Sequence, residues 1–282
     1  MRILALLDGT LADPEVPLLR SDDLGVQRGD GIFETILAVD GNPREIEAHL
    51  DRLERSARLM ELSLPERASW HRAVRTVLAE WPWDSEPESA IKLVCTRGLD
   101  GGDGTPTAFV SGQSLSAELM RKRAEGISVV TLERGIDPGM MERAPWLLLS
   151  AKTLSYAVNM AALREAERRG ADEVVFTATD GSLLEGPTSN VVLAEGGRLA
   201  TPPPSSGILR GTTQGALFRA AEETGWSTAV EPIAAERLWH ADGVWLASSI
   251  RKITQVHTVD GTSVATDPGL HERICKLYES QY

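Results

Sequence analysis

The sequence predicts a mixed α/β or α+β chain folded as two domains. Two observations carry this expectation. Short apolar, β-branched runs alternate with longer stretches of helical period along the whole chain. A polar stretch around Gly112, Ser114 and Ser116 then separates two such sets, which sets the expected boundaries: domain one at 1–112, a linker at 113–125, domain two at 126–282. With 282 residues, either one large domain or two moderate ones can bury a sizeable core.

Residues 2–7 read as a first strand that meets Asp8-Gly9 at once, too short a run for a signal peptide. Ser21-Asp22-Asp23 is turn-like. Glycines 29 and 31 precede the strand-like run Ile32–Val39; they permit unusual backbone angles, although a plain turn explains them equally well. Asp40-Gly41-Asn42 signals a hairpin. Residues 44–61 form the first clear helix, with Ile46, Leu50, Leu53, Ala57 and Met60 at helical spacing. His49, Arg52 and Ser56 make an adjoining stripe, either a solvated face or an anion ligand. A second helix spans 68–80. Strands follow at 89–96 and 107–111, flanking the glycine-rich loop 98–104, and a second set of strands opens at 127–132.

Lys152 is expected at or just before the start of an amphipathic helix whose apolar face runs Leu154, Val158, Ala161 or Ala162, and Ala166. Arg168-Arg169-Gly170 closes that helix with positive charge and a glycine. A lysine at the opposite end opposes the helix dipole, a weak hint of another purpose against the plain reading of an exposed lysine. Runs 173–177 and 189–193 read as a hairpin-like pair across Asp180-Gly181, with Glu185 just past the turn. Gly207–Thr213 precedes a helix at 212–224. Glycine, small hydroxyls and free amides there suit an anion, or serve as an ordinary cap. Trp245–Ser249 reads as a strand ending in two hydroxyls, another anion contact or a turn.

Composition narrows the function classes. A formal net charge of −12 argues against a nucleic-acid partner, which needs a basic face. Cys95 and Cys275 are far apart and lack metal-ligand spacing, so no metal is expected and the chain reads as cytoplasmic. No run approaches the ~18 apolar residues of a membrane span.

Taken in order, five motifs make the chain similar to the class IV aminotransferases, the fold-type IV enzymes that use pyridoxal 5′-phosphate. They are Gly29-Asp30-Gly31-x-Phe33-Glu34, His49-x-x-Arg52-Leu53, Lys152-Thr153-Leu154-Ser155-Tyr156, Leu184-Glu185-Gly186-x-x-Ser189-Asn190, and the Gly207–Thr213 loop with Ser248-Ser249. The resemblance implies a two-domain fold of the D-amino acid aminotransferase type, with a small N-terminal and a larger C-terminal α/β domain, working as a homodimer on a small amine-bearing carboxylate. Trp146 and the loop 98–104 are candidates for the subunit interface.

By the same resemblance, Lys152 matches the lysine that holds the cofactor as a Schiff base and then shuttles protons. Glu185 matches the carboxylate that keeps the pyridine nitrogen protonated, and Asn190 closes that motif at the cofactor. Arg52 matches the phosphate-binding arginine, Ile208 and Leu209 the loop whose amides hold the phosphate, and Ser249 with Ser248 the phosphate hydroxyls. Tyr156 matches a tyrosine that approaches the ring hydroxyl. Thr35 matches a threonine found in aminodeoxychorismate lyases, where it helps protonate the leaving enolpyruvyl group. The Arg-x-His pair of D-amino acid aminotransferases is absent, Gly102-Asp103-Gly104 standing at that offset. The resemblance therefore implies a lyase forming 4-aminobenzoate and pyruvate from 4-amino-4-deoxychorismate, with a branched-chain or D-amino acid aminotransferase as the alternative. Arg28, Arg97, Arg210 and Arg251 are the candidates for substrate carboxylates. A binding protein that kept this fold and lost turnover is disfavoured by the presence of both Lys152 and Glu185.

Overall fold

A computed structural model describes all residues, 1–282. The chain divides into two compact units, one of Met1–Ser116 with Ala151–Tyr156, the other of Ala117–Ser150 with Ala157–Tyr282. None of its helices is long and apolar enough to cross a membrane.

The first unit contains β1 (Arg2–Leu6), β2 (Leu11–Ala12), α1 (Leu24–Arg28), β3 (Gly31–Val39), β4 (Asn42–Pro43), α2 (Ile46–Leu59), α3 (Arg67–Glu80), β5 (Glu88–Thr96) and β6 (Thr107–Gln113). Its six-stranded sheet has the order β2-β1-β6-β5-β3-β4, with every pairing antiparallel. Alternation sorts the strands into two faces. Ile32, Ile36 and Ala38 of β3 and Ile91, Leu93 and Cys95 of β5 pack in one core with Leu50 and Leu53 of α2 and Trp70, Val74 and Val77 of α3. Phe33, Thr35 and Lys92 lie on the other face and are only half-buried. Short α1 is capped by Asp23, which accepts from Gly25 N–H at 2.8 Å and from Thr96 Oγ1 at 2.9 Å.

The two glycines noticed in the sequence have a definite use here. Gly29 ends α1 with φ 68°, and a Cβ on it would lie 3.0 Å from Ser155 Cα. A Cβ on Gly31 would lie 2.6 Å from the Cys95 carbonyl oxygen and 2.7 Å from Leu154 Cδ1. Both bare Cα atoms let the segment 151–156 lie against the start of β3. That segment extends the sheet locally: Ile32 bridges Thr153, Phe33 N–H donates to Lys152 O at 3.1 Å, and Leu154 N–H donates to Gly31 O at 2.8 Å.

The second unit contains α4 (Ala117–Glu125), β7 (Ile127–Glu133), α5 (Met140–Arg143), α6 (Ala157–Arg168), β8 (Glu173–Thr177), β9 (Asn190–Glu195), β10 (Arg198–Thr201), α7 (Thr212–Glu223), β11 (Ser227–Val230), β12 (Gly243–Ser248), β13 (Lys252–Val259), β14 (Thr262–Ser263) and α8 (Pro268–Glu279). Its sheet runs β11-β10-β9-β12-β13-β7-β8, with β14 paired to β13. Helix α6 makes the crossover between the parallel strands β7 and β8, and α7 makes the one between β10 and β11. Val192, Ala194, Trp245 and Ala247 pack with Leu217 and Phe218 of α7 and Ile274 and Tyr278 of α8; Val191, Leu193, Val244 and Leu246 belong to a separate apolar cluster.

Three expectations differ from the structure. Lys152 does not open a helix. It lies in the extended segment ahead of α6, so the helix-dipole cost read from the sequence does not apply. Strands β8 and β9 do not form a hairpin: β8 pairs parallel with β7, while β9 pairs with β10 and β12. A continuous apolar strand fits either arrangement, which is why spacing across a turn misled. Val158 is 65 % exposed, and α6 buries only Ala162 and Ala166. The polar stretch 113–125 holds the end of β6 and all of α4.

Candidate active site

The residues singled out by the sequence fall into two sets, one in each unit. Lys152, Tyr156, Thr35 and Arg52 belong to the first unit. The backbone of Lys152 is pinned on both sides, by its N–H donating to Ser56 Oγ at 3.0 Å and by its carbonyl accepting from Phe33. Its side chain is half-buried, with Nζ 4.6 Å from the centre of the Phe33 ring, inside cation–π range. Tyr156 meets the same ring edge-on, centroid to centroid 5.4 Å. Thr35 is the next residue of β3 on that face, two positions beyond Phe33.

Arg52 projects from α2 and is 7 % exposed. Its Nε and Nη2 donate to Glu34 Oε1 and Oε2, both at 2.7 Å, a two-pronged contact that fixes the guanidinium plane. His49, one turn earlier, meets Glu34 Oε2 through Nδ1 at 2.7 Å. Glu34 is fully buried. Burial alone would raise its carboxyl, but the Arg52 charge and hydrogen bonds, then those of His49, hold it well below the usual carboxylate range. Burial pushes the His49 imidazole down, against the opposing pull of Glu34, and the Arg52 and Lys152 charges push the same way as burial. Ser56, on the next turn, is the residue that holds Lys152 N–H. One face of α2 thus carries both the Arg52 anchor and the Lys152 support.

Glu185, Asn190, Ile208, Leu209, Ser248 and Ser249 belong to the second unit. Glu185 is 7 % exposed, and its Oε2 accepts from Leu209 N–H at 3.2 Å and from Asn190 Nδ2 at 3.4 Å. Asn190 Nδ2 also donates to Leu209 O at 2.9 Å, so one side chain ties the carboxylate to the loop. Arg134 Nη1 stands 3.9 Å from Glu185 Oε1 and stacks over Phe176 at 5.3 Å. The Leu209 amide is therefore engaged with Glu185 here. Ile208 is buried in the core beside Ala162 and Phe176.

Helix α7 begins just beyond, with Gly211 as N-cap, no side-chain cap, and buried Thr212 and Thr213 in its first turn. Twelve residues of helix with an uncapped start favour an anion near those amides. Ser248 ends β12 and Ser249 follows in the turn, both half-buried. A Cβ on Gly211 would sit 2.0 Å from Asn190 Oδ1. Gly211→Ala should accordingly push Asn190 off Glu185 and Leu209 and lower the thermal midpoint, by a destabilisation of about 1–3 kcal/mol. An unchanged melting curve would contradict this packing.

Two participants were missed in the sequence although a signal existed. Strand alternation puts Glu34 on the same face as Ile32 and Ile36, where a carboxylate survives only if paired, and the His49–Arg52 stripe is its partner. Lys92, the lone charge within Ala90–Val94, is the other: its Nζ stands 5.1 Å from the centre of the Phe33 ring that Lys152 Nζ also approaches.

The family model described as amino-transferase class IV matches residues 31–259. A Mycobacterium tuberculosis protein described as a bifunctional aminodeoxychorismate lyase / D-amino acid transaminase is 45 % identical over 269 residues, 93 % of each chain. The PLP-bound form of a hypothetical aminotransferase from M. tuberculosis superposes with a TM-score of 0.96 at 43 % identity, covering 100 % of this chain and 98 % of that one. The form of that aminotransferase bound to alpha-ketoglutarate and PMP also gives 0.96, at 44 % identity over 99 % and 98 % of the two chains.

Proposed function

The chain belongs to the class IV aminotransferase family, and on that premise we propose that it releases pyruvate from 4-amino-4-deoxychorismate to leave 4-aminobenzoate. Its cofactor is pyridoxal 5′-phosphate. Each unit by itself offers groups that suit it: the first a half-buried primary amine beside an aromatic ring, the second a nearly buried carboxylate with amide donors and an uncapped helix start. When bound, the cofactor supplies a carbonyl that captures a substrate amine and a ring that accepts electrons. Under this reading Lys152 Nζ holds it covalently, Glu185 keeps its ring nitrogen protonated, Asn190 and the Leu209 amide steady Glu185, and Arg52, the amide of Ile208, Ser248 and Ser249 surround its phosphate; the resemblance also assigned the Leu209 amide to the phosphate, but here it donates to Glu185. Tyr156 approaches the ring hydroxyl.

The observation that carries the lyase reading is the placement of Thr35. It shares the face of β3 with Phe33, whose ring receives Lys152 Nζ at 4.6 Å. Lys152 takes the proton from the substrate carbon that bears the amine. The carbon–oxygen bond to the enolpyruvyl group breaks, and Thr35 gives that group a proton as the ring becomes aromatic. Atoms and electrons balance without an oxidant. Transamination of D-amino acids is the second reading, favoured by the name of the 45 % identical relative and by the PMP and alpha-ketoglutarate found in its structural neighbour. The working form under either reading is a cytoplasmic homodimer, with Trp146, 73 % exposed, offered to the second subunit.

The test is to supply purified enzyme with aminodeoxychorismate and no keto acid. Appearance of 4-aminobenzoate and pyruvate supports the lyase; turnover only with D-alanine and alpha-ketoglutarate supports transfer. Thr35→Val should cut pyruvate release by about 10²–10⁴-fold while changing transamination much less. Equal loss of both activities would refute the role given to Thr35.

A further inference from the structure

Two of the four arginines named for a substrate carboxylate are engaged inside the chain. Arg97 donates to Asp30 Oδ2 at 2.7 Å and to the carbonyls of Met60 and Glu61. Arg251 pairs with a buried carboxylate, and it lies two residues beyond Ser249.

Strands β12 and β13 pair as far as Ser248 and Lys252, and residues 249–251 make the turn between them. Lys252 closes that turn in the left-handed region, at φ 57°, a conformation that a lysine keeps only where its surroundings impose it. Ser249 and Ile250 are half-buried. Arg251 alone of the three is buried, at 7 % exposed. Its Nη2 donates to Oε1 of Glu173, which opens β8 and is 4 % exposed. Lys122, the other cation near Glu173, stands 3.4 Å from Asp172 Oδ1. The backbone of the turn is held twice more. Arg123 Nε of α4 donates to Ile250 O at 2.9 Å, and Thr254 Oγ1 donates to Arg251 O at 3.1 Å.

Stability alone does not account for the buried pair. Two apolar side chains of similar size would fill the same space as well, whereas two charges must both leave water. The pair is also incompletely satisfied: Arg251 Nε and Nη1 and Glu173 Oε2 have no hydrogen-bond partner. What a charged contact adds over an apolar one is direction. It ties the turn to the start of β8 in one orientation, and with it the two serines at the near end of the turn.

We propose that Arg251 is a positioning residue: through Glu173 it fixes the turn so that the Ser249 hydroxyl meets the cofactor phosphate. The inference rests on the assignment of Ser249 to that phosphate. Arg251 then acts only on the phosphate end of the cofactor and leaves the carbonyl end to Lys152. A turn without this anchor has to be ordered when the phosphate arrives, and that ordering weakens binding.

The test compares pyridoxal 5′-phosphate with pyridoxal, which offers the same carbonyl and ring without the phosphate. Both are titrated into the full-length chain freed of cofactor, with binding followed by absorbance, and the ratio of the two affinities isolates the phosphate contacts. Arg251→Met should lower that ratio about tenfold or more, the share of one hydrogen bond to a charged group, and leave pyridoxal affinity unchanged. Because Arg251→Met alone strands the buried Glu173 charge, Arg251→Met with Glu173→Met is made as well; it removes both charges, keeps the fold and should show the same low ratio. Ser249→Ala should lower the ratio too, and adding Arg251→Met to it should lower it little further, because both act on one contact. The proposal is overturned if the double methionine variant keeps the wild-type ratio, if Arg251→Met weakens pyridoxal as much as pyridoxal 5′-phosphate, or if the Ser249 and Arg251 losses add in full. A wild-type ratio in Ser249→Ala overturns it as well and takes the Ser249 assignment with it. Absence of pyruvate from aminodeoxychorismate would sink the lyase reading alone, because these affinities are measured without turnover.

Discussion

Lys152→Ala should give a folded protein that no longer holds its cofactor covalently and turns over at least about 10²–10⁴-fold more slowly, the share of a positioned acid–base group alone. The expectation of an intact fold comes from the hydrogen bonds that position this residue. Ser56 Oγ holds its N–H and Phe33 N–H holds its carbonyl, and neither contact uses the side chain. The amine stacks over Phe33, and losing that half-exposed cation–π contact costs the fold roughly 0.5–1 kcal/mol. Loss of activity with an unchanged circular dichroism spectrum therefore isolates the chemistry of the amine. Borohydride reduction followed by mass spectrometry supplies the second readout: wild type should retain the mass of the reduced cofactor on the peptide that contains Lys152, and the alanine variant should not. Covalent retention elsewhere on the chain, with activity within tenfold of wild type, would remove Lys152 from its assigned role.

The order of motifs was readable because each is local. Lys-Thr-Leu-Ser-Tyr, Leu-Glu-Gly and His-x-x-Arg are runs whose spacing survives without knowledge of the fold, and most helices and strands followed from period. What was not readable is long-range. The separation of β8 from β9 depends on which neighbours a buried strand chooses, and its own alternation does not encode that. The return of segment 151–156 to the first unit depends on bare Cα atoms at Gly29 and Gly31, which look in sequence like any turn. Lys92 was overlooked for a similar reason. A single lysine in a strand reads as a solvent-facing residue until its cross-strand neighbour Thr35 and the shared Phe33 ring are known.

Glu34→Gln should be the most destabilising single change near the site, by about 3–5 kcal/mol, because it leaves Arg52 buried without its counter-charge. The shape is conserved, so the loss is electrostatic and should depend on pH in a defined sense. The Glu34 carboxyl is held below its ordinary value of 4.5 in the fold, so its contribution is fully present above that value. It is lost as the pH falls toward the depressed folded value, because the unfolded chain takes up the proton first. Burial depresses His49 in the fold as well, so the unfolded chain protonates first below about 6.5 and stability starts to decline there in both proteins. Urea unfolding of wild type and Glu34→Gln from pH 7.5 down to about 3.5 separates the two groups. The gap between the proteins should hold steady at neutral pH and narrow below about 4.5. A gap under about 1 kcal/mol, or one that ignores pH, would mean that the buried triad of Glu34, His49 and Arg52 is not the electrostatic anchor of α2. The same variant reports on cofactor affinity. If Arg52 holds the phosphate, a guanidinium freed from Glu34 loses its fixed plane, and the cofactor should dissociate more readily even at a pH and temperature where the fold is intact.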